Sequence, residues 1–321
     1  MNNTAVELKR KLLSLARSAG LLPLQVYELY ALLGRQGEAR LVDLTRVTGI
    51  AQSALRSLAR DRDEYIQIKG DKYILTPSGS AFSSELVEFR AWKDKERERA
   101  GKECLDLLKE MEVKRPRSKR RLDQFRATPA TSVARAQVID SQLLADEQHI
   151  LFLGDNDITS LALAHISKPA SIAVLDIDNE VLEAIGAVQG SAPIVCEQYD
   201  ACEPLPRRYV HSFDLAVTDP PYSANGLLLF LSRLAQALVK DCRGHVFLSY
   251  GFSMRARERG LEMQRIVGDV GFLIYKIWPN LNEYYAAGSI GSRSNFYQLI
   301  STPRTKSRVP RRFGNPIYSI T

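Results

Sequence analysis

The chain of 321 residues has only four cysteines, and Cys104, Cys196, Cys202 and Cys242 form no CxxC pair. A disulfide framework is not expected, and reduced cytosolic thiols are. Histidines are as few, and His149, His165, His211 and His245 are dispersed without ligand spacing, so no metal site is predicted. No apolar run approaches the about 18–20 residues that a membrane span needs. The opening segment MNNTAVELKR lacks the apolar stretch of a signal peptide, so secretion is not expected and a cytoplasmic location is. Acidic residues are outnumbered, 37 against 44 Lys and Arg, for a net charge of +7. Such a balance suits a polyanionic partner, yet many basic enzymes have none, so distribution matters more than the total. The densest basic runs, 114–121 and 304–312, read either as solvated, mobile segments or as nucleic-acid contacts.

What the chain has is apolar residue, 45% of the total, enough for a sizeable core, and a length that suggests two domains. The patterning divides it into a first domain over 1–81, a charged helix and basic linker over 82–121, a second domain over 122–302 and a basic C-terminal tail over 303–321. In the first domain, helical apolar spacing covers 22–34 and ends at Gly34, read as a C-cap. Short helices over 39–47 and 51–60 flank the Thr48-Gly49 turn, as in a helix-turn-helix. Residues 65–68 and 73–76 alternate around a Gly70 turn and predict a hairpin. Together these parts resemble a winged helix. A DNA-binding reading puts Ser53, Arg56, Arg60 and Arg62 in a major groove, with Lys69 and Lys72 on phosphates. A dimerisation or lid module that never meets DNA is the other reading, and a long helix over 82–112 suits a homodimer.

From residue 149 the pattern changes. Short apolar runs at 149–153, 171–175, 193–196, 213–218, 245–250 and 272–278 alternate with helical stretches. This predicts an α/β fold with a parallel, doubly wound sheet, whose ligands bind at the carboxyl ends of the strands. Carboxylates stand at or just beyond the ends of the first four runs: Asp155 and Asp157, Asp176 and Asp178, Asp200, and Asp219. One such Asp is a common helix N-cap, but four on one edge predict a site. Asp176, with Asp178 beside it, suits ribose hydroxyls, and Asp200 suits an adenine amino group. Gly154 lets the chain turn sharply beneath the ligand. The first loop lacks GxGxxG, so a nucleoside without pyrophosphate is expected, and S-adenosyl compounds are the candidates.

The sharpest local motif is Asp219-Pro220-Pro221-Tyr222. It resembles the motif of amino-methyltransferases that act on exocyclic amines of nucleic-acid bases. A nitrogen nucleophile beside a sulfonium carbon needs hydrogen bonds that aim its lone pair and drain its proton.

Several ordered segments resemble one family more specifically. Residues 123–129 (DQFRATP) and 132–135 (SVAR) resemble the stretch before the catalytic domain of the branched-chain polyamine synthases, the N4-bis(aminopropyl)spermidine synthases. Residues 151–160 (LFLGDNDITS) resemble that family's Gly-Asp-Asp-Asp loop, 173–178 (AVLDID) its next strand, and Asp219-Pro220-Pro221 its fourth. Asn282-Glu283-Tyr284 resembles a late motif. The resemblance implies a Rossmann-like, methyltransferase-type domain behind an N-terminal winged helix. It implies transfer of the aminopropyl group of decarboxylated S-adenosylmethionine to a spermidine-like nitrogen, with release of 5′-methylthioadenosine and no metal. Asp155, Asp157 and Asp219 are then expected to hold and deprotonate the attacking amine. Asn156, Pro220, Tyr222, Glu283 and Tyr284 are expected around the acceptor, Glu283 on a distal ammonium and the tyrosines as cation–π walls. An acidic loop also favours a donor without a carboxylate, since like charges near ~4 Å cost about 1–4 kcal/mol.

Two residues depart from the family pattern. Asn156 replaces the middle aspartate of the loop, and Tyr222 moves the fourth motif toward the methyltransferase form. Two other readings follow: an S-adenosylmethionine-dependent amino-methyltransferase on a nucleic-acid base, and a non-catalytic winged-helix sensor of polyamines.

Overall fold

The computed structural model describes residues 3–61, 64–113, 115–188, 194–241, 243–285, 287–288 and 291–319. Arg62 and Cys242, and Lys114 and Pro193 at the starts of the runs 114–121 and 193–196, lie outside the described residues. The chain divides into two compact units, Met1–Glu96 and Arg97–Thr321.

The first unit contains α1 (Asn3–Ala19), α2 (Pro23–Gln36), β1 (Glu38–Arg40), α3 (Leu41–Thr48) and α4 (Gln52–Asp61). A hairpin of β2 (Ile66–Lys69) and β3 (Lys72–Leu75) follows, and β1 joins it in the order β1-β3-β2. Pro23 opens α2, and Gly37, at φ 76°, ends it. Gly34 therefore lies inside the helix instead of capping it. Its missing side chain is explained by Ser83, whose hydroxyl occupies the space a Cβ would need. The unit's core is built from Leu12, Val26, Leu29, Tyr30, Leu44 and Leu58, all nearly inaccessible. Neither α1 nor β1 is anticipated by the sequence pattern. The next helix, α5 (Pro77–Met111), begins five residues before the predicted one and contains the boundary between the units.

The second unit runs α6 (Pro129–Ser141), β4 (His149–Leu153), α7 (Thr159–Ile166), β5 (Ser171–Asp176), α8 (Asn179–Gly186), β6 (Ile194–Gln198) and β7 (Leu215–Thr218). It continues with α9 (Ala224–Ala237), β8 (His245–Tyr250), α10 (Arg257–Val270), β9 (Phe272–Glu283) and β10 (Arg293–Ser301). The seven strands are ordered β6-β5-β4-β7-β8-β10-β9. Neighbours from β6 to β8 are parallel, whereas β10 is antiparallel to both β8 and β9. The sheet is thus mixed, where the apolar runs predict a parallel one. β10 (RSNFYQLIS) carries too many polar residues to stand out as an apolar run.

Alternation along the strands explains the layering. Ile150, Phe152, Ile172, Val174, Leu215 and Val217 enter one core with residues of α6, α7 and α8. Leu151, Leu153, Ala173, Leu175 and Ala216 enter a second core with residues of α9 and α10. Both faces of the sheet are therefore covered, and the loops at the strands' carboxyl ends are left at one edge. Local chemistry sets the helix starts there. Thr128 caps α6 ahead of Pro129, Asp178 caps α8 and Ser223 caps α9, each accepting a main-chain N–H of the first turn.

The segment after β10 is not the solvated tail that its charge suggests. Phe313 and Ile317 are buried, and the Phe313 N–H donates to the Cys202 carbonyl at 2.8 Å. Arg233, 1% exposed, donates to the carbonyls of Ala201 and Arg311, each at 2.8 Å, and so ties this segment to the loop after β6. Its arginines stay outside while its few apolar residues and its backbone make the contacts. No helix among the described residues is long and apolar enough to cross a membrane.

Candidate active site

The cleft lies at the carboxyl ends of β4, β5, β6 and β7. Gly154, at φ 72°, turns the chain out of β4 and donates to the Leu175 carbonyl at 2.8 Å. Asp155, Asn156 and Asp157 follow. Ile158, at φ 51°, then starts α7 from a conformation that is strained for a β-branched residue, and its burial among core residues holds it there.

Each carboxylate is fixed by specific partners. Asp155 accepts from the N–H groups of Thr159 and Ser160 at 2.9 and 3.0 Å, so it caps α7. Burial raises its carboxyl to about 7, against the pull of those hydrogen bonds. Asp176, the last residue of β5, accepts from the N–H of Asp155 at 2.9 Å and of Asp178 at 2.9 Å, locking two strand ends together. Burial raises this carboxyl as well. Asp200 accepts from the Cys202 N–H at 2.8 Å. All three line the cleft beside Ile177, Tyr199 and Ala201.

Asp157 and Asp219 meet at Arg135. Arg135 Nη1 donates to Asp157 Oδ2 at 2.8 Å, and Nη2 donates to Asp219 Oδ2 at 2.9 Å. The second oxygen of Asp157 accepts from the Ala127 N–H at 2.7 Å. Asp219 Oδ2 also accepts from the Tyr284 hydroxyl at 2.7 Å. Asp219 Oδ1 has no partner among the described residues, and the side chain is 19% exposed, so this oxygen is left for the cleft. Burial lifts Asp219 to about 6, Arg135 opposes that rise and Asp157 adds to it. Burial alone would lower Arg135, but Tyr284, Asp157 and Asp219 outweigh it and the guanidinium stays charged. Tyr284 is pushed well above the usual phenol range by burial and by Asp219, so it remains a donor. Arg115, also buried, donates to the Asn156 carbonyl at 2.7 Å and approaches Asp157 at 3.9 Å.

Residues 103–310 match the branched-chain polyamine synthase A C-terminal domain, which is more than half of the chain. The chain belongs to that family. It is 36% identical over 196 residues to an uncharacterized protein of Methanocaldococcus jannaschii, covering 60% of this chain and 49% of the relative. It is 33% identical over 197 residues to the N(4)-bis(aminopropyl)spermidine synthase of Thermococcus kodakarensis, covering 59% and 54% respectively. The chain thus spans about half the length of the curated relatives it matches. A crystal structure of the branched-chain polyamine synthase C9 mutein from Thermus thermophilus, in complex with N4-aminopropylspermidine and 5′-methylthioadenosine, superposes with a TM-score of 0.60 at 20% identity. The match covers 98% of this chain and 97% of that one, and establishes a shared fold.

Within this family member the expected site residues separate into two groups. Gly154, Asp155, Asn156, Asp157, Asp176, Asp200, Asp219, Tyr222 and Tyr284 all line the cleft. Asp178, Pro220 and Glu283 are not among its lining residues. Asp178 caps α8 and pairs with Lys119 at 2.6 Å, which helps hold its carboxyl low despite partial burial. Pro220 is buried, and its neighbour Pro221 lines the cleft in its place. The Glu283 side chain is 56% exposed and approaches Arg293 at 3.8 Å. The expected tyrosine walls are already engaged: Tyr222 stacks on Tyr250 at 5.1 Å between ring centres, and the Tyr284 ring faces Arg135 at 5.7 Å.

Sequence reasoning missed Arg135, Arg115, Asn282, Asp123 and the segment 317–319. Arg135 and Asn282 lie within quoted motifs, so proximity to a motif was an available signal. Nothing local marks Ile317 and Tyr318, which line the cleft.

Proposed function

We propose that the chain is an aminopropyltransferase, moving the aminopropyl group of decarboxylated S-adenosylmethionine to a polyamine nitrogen with release of 5′-methylthioadenosine. Family membership supports this reading, as do the product and nucleoside named with the Thermus thermophilus fold relative. The observation that carries it is Asp219, a carboxylate with one oxygen pinned and the other left for the cleft, which Asp176, Ile177, Tyr199 and Ala201 also line.

The residues divide the work as follows. Asp176 sits where ribose hydroxyls are received, and Ile177, Tyr199 and Ala201 form the apolar wall for the base. Asp219 Oδ1 receives the acceptor amine. The nitrogen lone pair attacks the carbon bonded to the sulfonium, the carbon–sulfur bond breaks, and its electron pair neutralises the sulfur. The proton lost by nitrogen passes to Asp219, whose value of about 6 lies near neutral pH, where a general base is effective. Asp155 and Asp157 shape the loop and the field: Asp155 holds the first N–H groups of α7 with its two oxygens, and Asp157 holds the Ala127 N–H and Arg135.

Donor choice follows from charge. Arg135 is the cation among the described cleft-lining residues, and it is committed to partners within the protein, as is Arg115, which holds the Asn156 carbonyl. An intact S-adenosylmethionine would bring a carboxylate to Asp155, Asp157 and Asp219 with no uncommitted cation among the described cleft-lining residues to receive it. This argues against the methyltransferase reading. Parallel calorimetric titrations with the two donors, followed by mass spectrometry with spermidine, test the proposal. Tighter binding of the decarboxylated donor and products heavier by whole aminopropyl units are expected; preference for the intact donor would refute it.

We propose further that the second unit is a Rossmann-like, methyltransferase-type domain and the first a winged helix. In support, five parallel strands in the order β6-β5-β4-β7-β8 carry helices on both faces, and α2, α3 and α4 precede the β2–β3 hairpin. Two side chains expected on DNA have partners inside the unit, Arg56 with Gln52 and Lys72 with Glu38. A salt titration of DNA affinity separates a DNA reader from a structural module.

A further inference from the structure

Arg135 is 2% exposed and makes four hydrogen bonds. Nε donates to Asn282 Oδ1 at 2.8 Å, Nη1 to Asp157 at 2.8 Å, and Nη2 to both Asp219 and the Tyr284 hydroxyl at 2.9 Å. These partners come from the end of β9, the loop after β4, the loop after β7 and the residue following β9. Asn282 is itself fixed, donating to Ser294 Oγ at 2.8 Å and to the Asn295 carbonyl at 3.2 Å. The guanidinium therefore has one position, and Asp219 is oriented by it.

We infer that Arg135 is the positioning residue of the transfer: it holds Asp219 by Oδ2, leaves Oδ1 to the acceptor nitrogen, and supplies the charge that keeps this carboxylate ionised as the amine arrives. The inference rests on the reading of Asp219 as the amine-receiving group. The charged and titratable groups around Asp219 are Arg135 on α6, Asp157 before α7, Tyr284 after β9, and Tyr222 on its own loop. Both phenols are held protonated, so the balance lies between one cation and two carboxylates. Without Arg135, two buried carboxylates would face each other, and such a pair retains a proton. A protonated Asp219 can neither hold an ammonium nor take the proton that nitrogen must lose when the new carbon–nitrogen bond forms.

The test pairs variants with opposite expected signs. In the full chain, carbon-13 titration of the aspartate carboxyls, with Asp219 assigned through Asp219→Asn, reads ionisation without turnover. The pH profile of kcat/KM with decarboxylated S-adenosylmethionine and spermidine reads the reaction. Arg135→Gln is expected to raise both the Asp219 midpoint and the acidic limb by about one unit or more, and Asp157→Asn to lower both. Affinity for 5′-methylthioadenosine, whose proposed contacts lie on the Asp176 side, stays as in the parent and reports a folded cleft. Should Arg135→Gln fail to fold, Tyr284→Phe removes the other donor to the same oxygen and raises the midpoint by itself. Slower turnover with an unmoved midpoint and limb in these variants would reduce Arg135 to a structural residue and overturn the inference. Opposite midpoint shifts in a protein that transfers no aminopropyl group would instead overturn the proposed reaction and leave the electrostatic role of Arg135 standing.

Discussion

Asp123 and Ser319, 196 positions apart, are joined by two hydrogen bonds: the Ser319 N–H donates to Asp123 Oδ2 and its hydroxyl to Oδ1, each at 2.7 Å. Asp123, buried and at φ 53°, also accepts from the Tyr222 N–H at 3.3 Å. One carboxylate thus joins the stretch before α6, the loop after β7 and the segment 317–319, and Ile317 and Tyr318 form part of the cleft wall as a result.

Replacing Asp123 with Ala should therefore loosen residues 316–319 before anything else. Hydrogen bonds to a charged group contribute about 1.5–3 kcal/mol each. Faster amide exchange in that segment and weaker 5′-methylthioadenosine binding are expected, while exchange in β4 and β5 stays slow. Unchanged exchange would show that apolar packing of Phe313 and Ile317 suffices.

Asp219→Asn keeps the shape and removes the proposed base. Loss of a positioned general base costs about 10²–10⁴-fold in rate. The fall should appear in kcat with spermidine, while calorimetry finds the donor bound as in the parent.

Asp155 makes stability depend on pH in an unusual direction. Burial lifts its carboxyl from 3.8 to about 7, so the folded chain keeps a proton that the unfolded chain releases between those values. This contribution is present at low pH and is lost as pH rises toward 7, at up to about 1.4 kcal/mol per pH unit. Asp219, raised to about 6, acts with the same sign over a shorter window. Urea unfolding from pH 4 to 7 should show a shallower decline for Asp155→Asn than for the parent chain.

Gly271 ends α10 at φ 95°, and a Cβ there would lie 2.5 Å from the Arg304 carbonyl oxygen. Its own carbonyl accepts from the hydroxyls of Thr302 and Thr305 at 2.6 and 2.7 Å. Gly271→Ala combines an unfavourable backbone conformation with a clash against backbone, and a loss of about 1–3 kcal/mol is expected in denaturant unfolding.

Capping explains more of the strand-end carboxylates than their number suggested. Asp155 and Asp178 cap α7 and α8, and Asp200 closes a turn onto Cys202. A carboxylate that begins a helix and one that faces a ligand look identical in sequence, because both follow an apolar run. Only the direction of each oxygen tells them apart.

What the sequence determined by itself is what local chemistry controls. The apolar runs of β4, β5, β7 and β8, the turn at Gly154 and the Asp219-Pro220-Pro221-Tyr222 loop were legible because period and turn residues act over a few positions. Motif order was enough to point to the family. The tertiary structure alone decided that Arg135 stands between Asp157 and Asp219, that Glu283 faces away from the cleft and that the basic C-terminal segment closes against Asp123. Those outcomes depend on contacts between residues 22 to 196 positions apart. They arise because burying a carboxylate requires a partner, and packing selects which one the chain can bring there.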